Sequence, residues 1–142
     1  MQHKTVQELE RIAEVHPDKT RAPMARRERL ERWAELLERD SQRPLRTLEG
    51  TEYQPREVRD MMRAYRSPIT VAFDDPVLRG EGLAGDTYGD AKRFFELSDW
   101  QLHDVVCHCH HGSEMTAKIA AQRIRRIIGG GGLPRMFARL WE

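Results

Sequence analysis

The sequence predicts an all-α protein: a compact bundle of about five to six helices, with a glycine-rich middle loop and a short amphipathic helix at its C-terminus. Three observations carry this. Apolar residues recur at i, i+3, i+4 and i+7 in one segment after another. Capping residues and Pro or Gly stops punctuate those segments. A single run, Ile69 to Phe73, is β-prone, and a lone strand has no sheet to join, so it reads as an extended linker, or as a strand only in a dimer.

The first helix is expected over Thr5 to Val15, where Thr5 and Glu8 have capping-box spacing and Val6, Leu9, Ile12 and Ala13 form one apolar stripe. His16-Pro17-Asp18 ends it. A second helix starts near Pro23 and runs to Arg39, burying Leu30, Trp33, Ala34 and Leu37. A third runs from Pro55 to Tyr65 with Val58, Met61, Met62 and Tyr65 inward, and Ser67-Pro68 ends it.

Asp74 to Gly89 is loop-rich, with one helical turn after Asp75-Pro76. Asp90 to Leu97 is the next helix, with Phe94, Phe95 and Leu97 inward. Ser98 caps another, with Gln101 completing a capping box and Leu102, Val105, Val106 and Cys109 forming its core stripe up to a stop at Gly112. Ser113 caps the following helix, whose core face is Ala117, Ala120, Ala121, Ile124, Ile127 and Ile128. The glycines 129–132 form a hinge before the peptide 133–142. The chain thus reads as one helical domain, 1–142, in which 133–142 is a candidate hinged arm. The residues expected in the core include Trp33, Leu37, Val58, Met62, Phe95, Val105, Val106, Ile124 and Ile127.

Composition narrows the function classes. The 142 residues suit one ordinary domain. The net charge of +1 leaves self-repulsion too weak to force disorder. No apolar run approaches the roughly 20 residues of a membrane span, and the first residues lack a signal-peptide core. The two cysteines, Cys107 and Cys109, would point about 200° apart on a helix and cannot pair there. That suits a reducing cytoplasm. Arginine outnumbers lysine 20 to 4, a bias of GC-rich, bacterial genomes. Charge is uneven: residues 20–66 hold 12 Arg against 9 acids, residues 72–104 hold 8 acids against 3 bases, and residues 113–142 hold 6 bases against 2 acids. The plainest use of that asymmetry is pairing of the acidic middle with its basic flanks inside one fold.

The chemistry-bearing residues concentrate in Cys107-His108-Cys109-His110-His111. If the helix continues to His111, then His103, Cys107 and His111 share a face opposite the core, with Asp99 one turn earlier and His110 close by. Imidazole and thiolate suit zinc, copper or iron. Against this, no second spaced Cys/His pair completes a structural zinc set, and a cysteine in such a stripe is commonly a small buried hydrophobe. Cysteine catalysis lacks a fixed base and an oxyanion hole, and a helix C-terminus disfavours a thiolate. Lys118, Arg123, Arg125 and Arg126 line a basic face that nucleic acid would use, but a near-neutral chain more often carries such a face solvated. Gly80 to Gly85 matches G-x-G-x-x-G by letter alone, with no strand before it and Glu81 and Asp86 repelling phosphate.

No catalytic constellation is complete. The leading expectation is a non-enzymatic protein that acts through a protein partner or through self-association as a homodimer. Leu133, Met136, Phe137, Leu140 and Trp141 are the candidate anchors of that contact. A metal-binding protein centred on Cys107 to His111 is the alternative.

Overall fold

The computed structural model describes residues 22–107 and 114–130. The expected helix over Thr5 to Val15, the residues Cys109, His110, His111 and Gly112, and the peptide 133–142 lie outside them.

Seven helices occur among the described residues: α1 (Arg26–Glu38), α2 (Arg56–Asp60), α3 (Pro68–Phe73), α4 (Pro76–Gly80), α5 (Tyr88–Phe94), α6 (Asp99–Val106) and α7 (Ala117–Ile128). Two short strands, β1 (Pro44–Leu45) and β2 (Met115–Thr116), pair antiparallel, with Pro44 opposite Thr116 and Leu45 opposite Met115. The mostly helical class holds, and no helix among the described residues is long and apolar enough to cross a membrane.

The longest helices form the centre. α1 packs along α7, α6 joins α7, and α3 packs on both α1 and α6. The α1 stripe Leu30, Trp33, Ala34 and Leu37 is buried, as its periodicity requires. Trp33 stacks on Phe95 at 4.3 Å between ring centroids, and its indole N–H donates to the Pro68 carbonyl at 2.8 Å. The indole therefore buries its area without leaving its donor unpaired. Phe95, Val105, Val106 and Ile124 are also in this core.

The structure corrects several boundaries, each for a local reason. Ile69 to Phe73 is helical, not extended. The Ser67 hydroxyl accepts from the Ile69 N–H, and Pro68 occupies the first helical position. This start signal outweighs the β-propensity of a run too short to find a strand partner. Ser67-Pro68 thus begins a helix, where the sequence reading made it an end. The helix expected from Asp90 begins at Tyr88, because Thr87 caps it and Asp90 is the reciprocal capping-box residue.

The helix after Ser98 stops at Val106. Cys107 is extended (φ −95°, ψ 148°), and the Leu48 N–H takes the Val106 carbonyl at 2.8 Å. A parallel bridge between Leu48 and Cys107 draws the chain out of the helix. Glu114 precedes β2, and Thr116, not Ser113, caps α7. The third expected helix, Pro55 to Tyr65, shrinks to Arg56–Asp60. Its predicted core residues do not enter the core: Val58 is exposed, Met62 is half-buried, and Ile127 of α7 is also half-buried.

Candidate functional site

The described part of the Cys/His cluster does not form the expected ligand row. With α6 ending at Val106, the helical face that would carry His103, Cys107 and His111 is not built. His103 and Cys107 are buried, not set opposite the core. The Cys107 sulfur lies 2.9 Å from the Thr51 hydroxyl, which suits a small core residue with a hydrogen-bonded thiol. Asp99 points elsewhere, to Arg59 and Lys92. Among the described residues, no three His, Cys, Asp or Glu side chains gather as a metal site.

The basic face of α7 is partly neutralised. Arg123 pairs with Asp104, and Arg125 makes two hydrogen bonds to the Glu38 carboxylate, at 2.8 and 3.1 Å. Lys118 and Arg126 remain exposed. A cleft of about 270 Å³ opens beside Arg29, Glu81, Gly82, Asp90, Arg93 and Phe94. Its charges are turned on the protein itself: Arg93 pairs with Asp90, Glu81 accepts from the Met24 N–H, and Arg29 lies over the Phe94 ring.

The unusual geometry is at α2. Arg59 and Asp60 face the body of the protein. Arg59 donates to Asp99 at 3.1 Å, and the Lys92 ammonium bridges Asp60 and Asp99 at 3.0 and 3.1 Å. These four charged side chains are 12–26% exposed. Tyr88 lies among them, fully buried, and its hydroxyl donates to the Asp99 carbonyl at 3.2 Å. Burial, with Cys107 and Asp99 nearby, pushes that hydroxyl well above its ordinary range, so it stays protonated. The approach of α5 to α2 is close: a Cβ at Gly89 would lie 2.8 Å from the Asp60 carbonyl oxygen. No side chain larger than hydrogen fits at Gly89 without shifting that backbone.

The same segment also exposes large apolar side chains. Tyr53 is 83% exposed, Val58 48%, Met61 76% and Tyr65 66%. Within α2, Arg59 and Asp60 turn to ion-pair partners in the body of the protein, while Arg56, Glu57 and Val58 are exposed. Val58, Met61 and Tyr65 were expected to form a core stripe on one helix; that helix ends at Asp60, and all three side chains are exposed. Tyr53, Arg59, Asp60 and Lys92 escaped sequence reasoning altogether. The ion-pair partners are separated by 32 and 40 positions along the chain, so no local pattern signals them.

Compared with protein-family models, curated proteins and solved structures, the chain matches none.

Proposed function

We propose that this protein is a non-enzymatic interaction module that docks a protein surface onto the segment from Tyr53 to Tyr65. The exposed apolar side chains of this segment, Tyr53, Val58, Met61 and Tyr65, carry this reading. Placing charged groups inward has a desolvation cost that only good partners offset, and leaving large apolar side chains in water forgoes burial worth roughly 1.5–3 kcal/mol each. A fold that accepts both in one segment gains from a partner that covers the exposed side chains. Tyrosine and arginine dominate binding energy at interfaces, with methionine enriched there, and Tyr53, Met61, Tyr65, Arg56 and Arg66 are all exposed here. The ion pairs beneath hold α2 in one position before contact, which lowers the ordering cost of binding.

A photo-activatable cross-linker placed at Val58 or Tyr65 tests this in cells. The expected outcome is an adduct of one discrete mass from these positions and none from Lys118, an equally solvent-facing control. Equal, diffuse labelling from all three positions would sink the reading.

A further inference from the structure

We draw no further inference here: the strongest candidate, the exposed patch of Tyr53, Val58, Met61 and Tyr65 on and beside α2, already carries the docking role above, and nothing in the structure shows what covers it.

Discussion

Asp75 joins two elements through one carboxylate. It accepts from Arg32 Nε and Nη2 at 3.0 and 2.9 Å, and it caps α4 by accepting from the Leu78 N–H at 3.2 Å. The Arg32 hydrogen bond, helped by the Leu78 and Val77 N–H groups, holds its pKa below the ordinary carboxylate range against the opposing effect of burial. A depressed folded pKa contributes stability that is present above the unfolded value of about 3.9 and is lost as pH falls through the folded value. Asp75→Asn is expected to cost about 2–3 kcal/mol at neutral pH, by leaving Arg32 without its charge partner. Urea titrations should find the gap between native and variant narrowing below about pH 4. A gap unchanged by acid would place the effect in packing. Arg66 offers the reverse case, at a φ of 63°: Arg66→Gly should leave stability unchanged or raise it by up to about 1 kcal/mol in urea unfolding. Sequence periodicity was enough to bury Trp33, because a stripe on a long helix has one apolar side. It could not place Cys107, whose burial depends on Leu48 and Thr51 arriving from a distant part of the chain.

The helix start at Ser98 was legible from its short-range capping box, whereas the equally local box of Thr87 and Asp90 was missed. Ser98 accepts from Gln101 N–H, and Gln101 Oε1 accepts from Ser98 N–H at 2.9 Å. Ser98→Ala should lower stability by about 1 kcal/mol in thermal or urea unfolding. Ser67→Ala is expected to cost at least as much, because Ser67 is fully buried and its hydroxyl caps the Ile69 N–H at 3.1 Å. If Ser67→Ala is silent, the account of why Ile69 to Phe73 is helical fails. Helix ends were less legible than starts. α6 stops because the Val106 carbonyl is taken by Leu48, a tertiary event with no signal near Val106 itself. The third expected helix shows the same limit: it ends at Asp60, and Val58, Met61 and Tyr65, expected in the core, are exposed.

At the scale of the molecule, the uneven charge along the chain is resolved by internal pairing. The acidic middle meets the first basic flank through Asp75–Arg32, Asp86–Arg63 and Asp99–Arg59, and the last through Asp104–Arg123. Lys92 bridges two acids, Asp60 and Asp99. Lys92→Met should therefore leave Asp60 and Asp99 under-neutralised and destabilise the protein by about 2–3 kcal/mol. Urea unfolding that finds Lys92→Met as stable as the native protein would mean that Arg59 alone suffices to neutralise Asp99.

The sequence by itself determined the helical class, the buried face of α1, the capping boxes that start helices, and the balance of acidic and basic segments. These are properties of neighbours along the chain, written in local periodicity, backbone hydrogen bonding and composition. Only the tertiary structure decided where α6 ends, that Val58, Met61 and Tyr65 face water, and that His103 and Cys107 are buried. Those outcomes depend on contacts between residues tens of positions apart, where the free energy of pairing a charge or a carbonyl exceeds the local preference.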